Sequence, residues 1–485
     1  MSKKSVVKNY LYNAIYQILS IIIPLITTPY LSRVLGAEKI GIYSYTLSIT
    51  TYFILFGSLG VAMYGQREIA YMQNDISKRS KTFFEIFIMK CCTLFISLVI
   101  FYFTFCINGQ YSMYYKILIL EIIANVIDIS WYFQGLEEFK KTVTRNTIVK
   151  IISVICIFLF VKNEYDFNKY FYIYVLSNFF GNFTLWLYLP KYVKKVKLKK
   201  LEIYKHFKPT ISLFIPQIAV QVYTVLDKTM IGMIVDDKSE VGYYEQAQKI
   251  IKLLVTIATS LGVVMMPRIA ATYSEGNMKK VKEYMENSFS FIMFLSFPLM
   301  LGMISISSKF VPIFYGDGYD KVIPLIAIIS PIIVLIGLSN VMGIQYLLPT
   351  KQQNKYTLSV IIGAIVNFTF NLLLIYKWKS IGASIATIIA EFSVTATQFF
   401  LLRKEISVID VIKSSAKYVF SALIMFLISI FLGKFIKNNL LSIICQVLSS
   451  SIVYFGLLLL LKDKIIFMGE NLIKNKMKKF IKIGE

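Results

Sequence analysis

The stretch Leu19-Ser-Ile-Ile-Ile-Pro24-Leu-Ile-Thr-Thr-Pro29-Tyr-Leu-Ser-Arg33-Val-Leu-Gly36 decides how this chain is read. It is long enough to cross a bilayer, which takes roughly 20 mostly apolar residues. It also carries two prolines and ends on an arginine. A helix that only anchors needs none of these. Proline removes a backbone hydrogen bond and bends a helix, so Pro24 and Pro29 are gating candidates, with a static, well-packed kink as the equal alternative. About 200 residues later a second stretch behaves similarly, from Ile215-Pro216 to Leu226-Asp227-Lys228, and Pro216 joins the gating set.

Working outward, the 485 residues are 56% hydrophobic with a mean hydropathy of +0.64, too apolar for a soluble domain. Fourteen runs of spanning length are expected, at about 9–35, 41–66, 83–107, 113–135, 146–162, 168–190, 209–235, 241–267, 286–308, 321–348, 355–376, 381–402, 412–436 and 440–461. They are continuous rather than alternating, which predicts helices and not barrel strands. The first run is too long for a signal peptide and lacks a small-x-small cleavage site. The expected fold class is therefore an all-α integral membrane protein with about 14 transmembrane helices. The five cysteines lie in apolar runs without ligand spacing and read as small buried hydrophobes. The single histidine, His206, sits among lysines and reads as solvated. No metal site and no catalytic triad is expected from so few ligands.

The net charge of +25 is explained by its distribution. With the N-terminus inside, 34 lysines and arginines fall in inside segments and 10 in outside loops. That bias is the positive-inside rule, and it predicts a multi-pass membrane protein with both termini cytoplasmic. The charge then meets anionic membrane lipid rather than nucleic acid.

Two sequence matches reveal an internal repeat. Lys39-Ile-Gly41-Ile-Tyr43, Ser58-Leu-Gly60 and Arg67 correspond to Glu240-Val-Gly242-Tyr-Tyr244, Ser260-Leu-Gly262 and Arg268. Asn125-Val-Ile-Asp128-Ile corresponds to Asn340-Val-Met-Gly343-Ile. Six helices per unit return the chain to the same side, so two parallel six-helix repeats are predicted. The expected organisation is an N-lobe at 1–190, a basic cytoplasmic linker at 191–208 lying on the inner leaflet, and a C-lobe at 209–403. Two further helices at 404–462, read as an appendage, and a basic amphipathic tail at 463–485 follow.

Charges at mid-bilayer are costly, about 2.5–3.5 kcal/mol each on insertion scales, so they face a cavity or a partner. Helical spacing predicts one polar stripe of Glu121, Asn125, Asp128 and Tyr132. A second runs through Glu245, Gln248, Lys249, Lys252, Thr256 and Thr259, and a third through Ser384, Thr387, Glu391, Thr395 and Gln398. Together they predict a hydrophilic cavity between the lobes, with helix–helix hydrogen bonding as the alternative. Glu245 and Lys249 also suit a plain i,i+4 pair. Arg33, Lys228, Lys249 and Lys252 would make the cavity basic and suited to an anion. Arg268 is a further candidate, although arginines at inner helix ends are more often anchors.

At this point Pro24-Leu-Ile-Thr-Thr-Pro29-Tyr-Leu-Ser-Arg33-Val-Leu-Gly36 and Asp128-Ile-Ser-Trp131-Tyr-Phe-Gln134-Gly135-Leu-Glu137 resemble the signatures of Wzx-type polysaccharide flippases. These belong to the multidrug/oligosaccharidyl-lipid/polysaccharide exporter superfamily. The resemblance implies a transporter rather than an enzyme, with no catalytic residues and no cofactor. Its substrate would be an undecaprenyl-pyrophosphate-linked oligosaccharide repeat unit for O-antigen, capsule or related lipopolysaccharide biosynthesis. It further implies alternating access, substrate binding by Arg33, Lys228, Lys249, Lys252 and Arg268, and coupling to Na+, H+ or membrane potential. Asp128 and Glu391 lead the coupling or cavity set, with Glu121, Asn125 and Glu245. A polysaccharide polymerase and a chain-length regulator are implied partners. Two rivals are a MATE-like cation-coupled antiporter, which predicts an acidic cavity, and a membrane polymerase or ligase, which usually carries a large external loop.

Overall fold

In a computed structural model, which describes residues 3–197 and 201–467, the chain is all-α, with no strand among those residues. The helices are α1 (Lys3–Ser58), α2 (Val61–Tyr71), α3 (Ile76–Phe101), α4 (Ser112–Val126), α5 (Ser130–Gly135), α6 (Phe139–Phe160), α7 (Phe167–Trp186) and α8 (Phe207–Ile234). There follow α9 (Ser239–Thr259), α10 (Leu261–Ser274), α11 (Met278–Tyr315), α12 (Val322–Ile329), α13 (Ile332–Asn340), α14 (Gln353–Leu401), α15 (Val408–Phe435) and α16 (Asn439–Leu460).

Ten stretches among the described residues are long and apolar enough to cross a membrane. Two of them each cover two expected spans, because the chain turns inside them. In α1 the turn is at Gly36 (φ 73°, ψ 171°), a backbone state that a side chain disfavours. In α14 it is at Lys379 (φ 50°, ψ −126°). There a Cβ added to Gly382 would lie 2.3 Å from the Leu374 carbonyl oxygen, so the two arms of α14 double back closely. Pro24 and Pro29 sit inside helical backbone, and the departure from helix in α1 is at Gly36, seven residues beyond Pro29. Pro216 is in α8, and its side chain lies outside the described residues.

The chain divides into two compact units, Met1–Gly242 and Tyr243–Glu485. The first reaches past the linker because α8 and the turn after it pack on α1. A Cβ on Gly41 would lie 1.7 Å from the Lys238 carbonyl oxygen, and one on Gly242 would lie 2.1 Å from that of Ala37. Gly232 lies against the Tyr45 ring, and Thr229 Oγ1 donates to Ser48 Oγ at 2.8 Å. The repeat-related glycines Gly41 and Gly242 thus mark one backbone-to-backbone crossing.

A core of the first unit joins Val61, Ile69, Phe83, Trp131 and Tyr132 from α2, α3 and α5 with Leu136 just after α5. The described parts of the linker are strapped onto it. The Tyr132 hydroxyl donates to the Tyr192 carbonyl at 2.9 Å, and Arg79 Nη2 reaches the same oxygen at 3.2 Å. His206 is buried, contrary to the solvated reading: its ring contacts Tyr64 Oη at 2.7 Å and Glu85 Oε2 at 2.8 Å. Glu85 also accepts the Glu202 N–H at 2.8 Å and faces Lys205 at 3.1 Å. A buried carboxylate needs such partners, and the linker supplies them. Of the cysteines only Cys106 is buried, and Cys92 is exposed on the apolar flank of α3.

In the second unit α15 and α16 are no appendage. Tyr454 Oη donates to the Phe294 carbonyl at 2.8 Å, and Ser305 and Ser429 hydroxyls meet at 2.8 Å. Tyr418 Oη donates to Asp463 at 2.9 Å, and Lys417 pairs with the same carboxylate. These bonds tie both helices to α11 and to each other, around a core that includes Met293, Tyr418, Met425 and Tyr454.

Candidate functional site

The repeat match at Asn125 and Asn340 falls where both helices lose regular geometry. In the first unit α4 ends at Val126 and α5 starts at Ser130, while in the second Val341–Leu347 is π-helical. A break inside apolar surroundings frees backbone carbonyls that must find other donors. Three side chains supply them. Asn182 Nδ2 donates to the Ala124 carbonyl at 2.7 Å, Trp186 Nε1 to Ile127 at 2.7 Å, and Lys90 Nζ to Asp128 at 2.8 Å. Asn178, Asn182 and Trp186 are spaced by four on α7 and so share one face toward this break.

The break separates residues that uniform helical spacing would align. Asp128 is not on the stripe of Glu121; it closes a turn just ahead of α5, its carboxylate accepting the Ser130 N–H at 2.9 Å and the Ser130 hydroxyl. Asn125 Nδ2 turns back to the Glu121 carbonyl at 3.0 Å, and Tyr132 leaves the stripe for the linker. Glu121 itself is 7% exposed, with Asn178 Nδ2 at 3.1 and 3.0 Å from its two oxygens. Arg145 extends the network, donating to Asn182 and, at 3.2 Å, to Ser130 Oγ. One buried acid, one buried amine and a guanidinium therefore lie along a single polar seam of α3, α4, α6 and α7.

Lys90, Asn178 and Asn182 escaped the sequence reading. Lys90 is one charge inside the apolar run of α3, and that isolation was the available signal. The asparagines were legible only through their spacing on α7.

Elsewhere in the first unit, Arg33 is exposed and its Nη1 reaches the Pro29 carbonyl at 3.2 Å, one turn back. Lys228 is half-buried on α8. In the second unit Lys249 lies 3.8 Å from Glu245, the i,i+4 pair, with Lys252 exposed beside it on α9. Arg268 is exposed on α10. Gln248 Nε2 donates to Tyr244 Oη at 2.6 Å, which meets Thr387 Oγ1 at 2.9 Å. The polar faces of α9 and α14 are therefore joined here by helix–helix hydrogen bonds. Thr395 bonds to the Leu335 carbonyl at 3.1 Å and Gln398 Nε2 to Ser359 at 3.0 Å, while Glu391 is 8% exposed. Among the described residues no group of three metal-ligating side chains occurs.

Comparison with known proteins agrees with this architecture. The family model described as polysaccharide biosynthesis protein matches residues 6–273, and that described as lipid II flippase MurJ matches residues 145–446. A proposed O-antigen transporter of Escherichia coli (strain K12) is 25% identical over 407 residues, 83% of this chain and 98% of that protein. The capsular polysaccharide biosynthesis protein CapF of Staphylococcus aureus is 21% identical over 407 residues, 82% and 99% of the two chains. The inward closed structure of lipid II flippase MurJ superposes with a TM-score of 0.77 over 94% of this chain and 100% of that one, at 18% identity. An inward-facing MATE multidrug transporter gives 0.61 over 79% and 94%, at 12% identity. The structural likenesses speak for the fold, and the family match covers more than half of the sequence. The chain belongs to the polysaccharide biosynthesis protein family and is a multi-pass membrane protein of the Wzx-type flippase group.

Proposed function

We propose that this protein moves undecaprenyl-pyrophosphate-linked oligosaccharide repeat units across the cytoplasmic membrane by alternating access of two six-helix lobes, with both termini cytoplasmic. The observation that carries the reading is likeness along most of the chain to a proposed O-antigen transporter, joined to a MurJ-like fold. The O-antigen transporter and lipid II flippase names among the matches support transport rather than catalysis. Arg33, Lys228, Lys249, Lys252 and Arg268 attract the pyrophosphate or acidic sugars, since each is a cation placed in or beside an apolar span. An inside-negative potential favours anion exit by about 2.3 kcal/mol per charge per 100 mV.

Within the coupling set, Glu121 takes the leading place. It is a buried carboxylate held by the Asn178 amide, so proton or Na+ binding changes its charge without dismantling a turn. Asp128 is committed to the start of α5, and Asn125 to its own helix. Glu245 and Glu391 remain in the set for the second unit. A polymerase and a chain-length regulator would receive the product. A leaflet-resolved assay of the lipid-linked intermediate in a deletion strain tests the proposal: the intermediate accumulates on the inner leaflet and returns to the outer leaflet on complementation. Unchanged leaflet distribution together with altered drug susceptibility would favour an antiporter.

A further inference from the structure

A cavity of about 840 Å³ opens in the second unit between the first turns of α11, the end of the π-helical segment and the loop joining α14 to α15. Its floor is apolar: Val281, Met285, Phe289, Ile406 and Val411 are buried and line it. Its rim carries both signs of charge, Glu286, Glu405 and Asp410 against Lys282 and Lys464. Glu405 is already engaged, facing Lys355 at 3.8 Å and accepting from the Tyr346 hydroxyl. The other four are exposed, and among the described residues no ion pair closes on them. Lys282 and Glu286 stand one turn apart on α11, at the spacing of a helical ion pair, yet both line the cavity without pairing.

The rim stands at the headgroup level of one leaflet. α11 has 38 residues, about 57 Å at 1.5 Å each, against a hydrocarbon core of about 30 Å, so its ends lie outside the hydrocarbon. The apolar run 286–308 begins at Glu286, 412–436 begins just after Asp410, and 440–461 ends just before Lys464. The basic amphipathic tail expected at 463–485 lies outside the described residues from Met468 onward. An anionic headgroup would suit the two lysines but would set like charge against Glu286 and Asp410. A zwitterionic headgroup with a primary ammonium suits all four. Its phosphate meets Lys282 and Lys464, and its N–H groups donate to the two carboxylates as charge-assisted bonds. Its acyl chains cover the apolar floor. A quaternary ammonium has no N–H to donate. We propose that this cavity binds one phospholipid of that kind, a phosphatidylethanolamine, at a site separate from any transported glycan.

The test is native mass spectrometry of the full-length protein in detergent with phosphatidylethanolamine, phosphatidylcholine or phosphatidylglycerol added at equal concentration. One phosphatidylethanolamine should bind about tenfold more tightly than either other lipid, the effect of a charge-assisted hydrogen bond. Glu286→Gln/Asp410→Asn should abolish that preference, and Lys282→Ala/Lys464→Ala should weaken binding of the lipid. Glu283→Gln, exposed on the same helix and off the cavity, should change neither. Equal binding of the three lipids overturns the proposal, as does a preference that survives Glu286→Gln/Asp410→Asn. A second measurement uses the wild-type chain in vesicles containing phosphatidylethanolamine. A carbodiimide should join the lipid amine to Glu286 or Asp410 more than to Glu283, read as a mass shift on the peptide. Coupling no greater at the cavity carboxylates than at Glu283 also overturns it.

Discussion

Glu121 and Asp128 look alike in sequence and differ in the folded chain. One is a buried acid held by Asn178, the other closes a turn onto Ser130. Asn closes the same turn onto the following backbone as Asp does, so Asp128→Asn should leave export near wild type. Glu121→Gln should preserve the amount of folded protein and remove any dependence of export on pH or Na+. Export assays across a range of both ions separate the two. The reverse pattern would return the coupling role to Asp128. Asp463 gives a prediction outside the membrane-spanning helices. Burial pushes its carboxyl up, but Lys417, the Tyr418 hydroxyl and the Ile465 N–H outweigh burial and hold it below the usual carboxylate range. A folded-state pKa below the unfolded one adds stability above the unfolded value, and that stability is lost as pH falls through the folded value. Asp463→Asn should therefore lower Tm by several degrees at pH 7, and by progressively less below about pH 4. A loss that stays constant with pH would contradict the pair.

Among the helices, the crossing at Gly41 and Gly242 carries the sharpest constraint. A methyl at Gly41 would meet the backbone at Lys238, which cannot swing aside like a side chain. Gly41→Ala should cost about 1–3 kcal/mol through overpacking, measurable as a fall in Tm, whereas Gly456→Ala, with open space around it, should be neutral. The linker strap gives a second test. His206→Ala leaves Glu85 buried with one partner fewer, so thermal stability should fall by about 2 kcal/mol, with cleavage of the linker by added protease becoming faster. Much of this level was legible in sequence. Continuous apolar runs predicted the helices, whereas Gly41 and Gly242 were legible only as matching positions of a repeat, and their crossing rests on contacts that the structure supplies. The break at 127–129 was not read from the sequence: Asn125, Asp128 and Ser130 are weak helix formers, but the apolar run continues across them and the stabilising donors lie on α3 and α7. His206 misled for a similar reason: its lysine-rich neighbours suggested water, while its partners Tyr64 and Glu85 are more than 100 residues away.

For the molecule as a whole, the central claim is that a lipid-linked glycan crosses the membrane through this chain and that its cations draw the anion. Arg33 is exposed near the Gly36 turn, Lys228 lies on α8, and Lys249 and Lys252 lie one turn apart on α9. Sequence periodicity identified these cations, yet it could not tell a cavity face from a snorkelling position, which depends on neighbouring helices. The most direct measurement is the leaflet distribution of the undecaprenyl-pyrophosphate intermediate in cells producing the wild-type chain, Arg33→Ala, Lys228→Ala or Lys249→Ala at equal protein levels. The account predicts outer-leaflet intermediate with the wild type and accumulation on the inner leaflet with each variant. Wild-type distribution in all three would contradict the basic site, and an unchanged distribution in a strain lacking the protein would contradict the flippase itself.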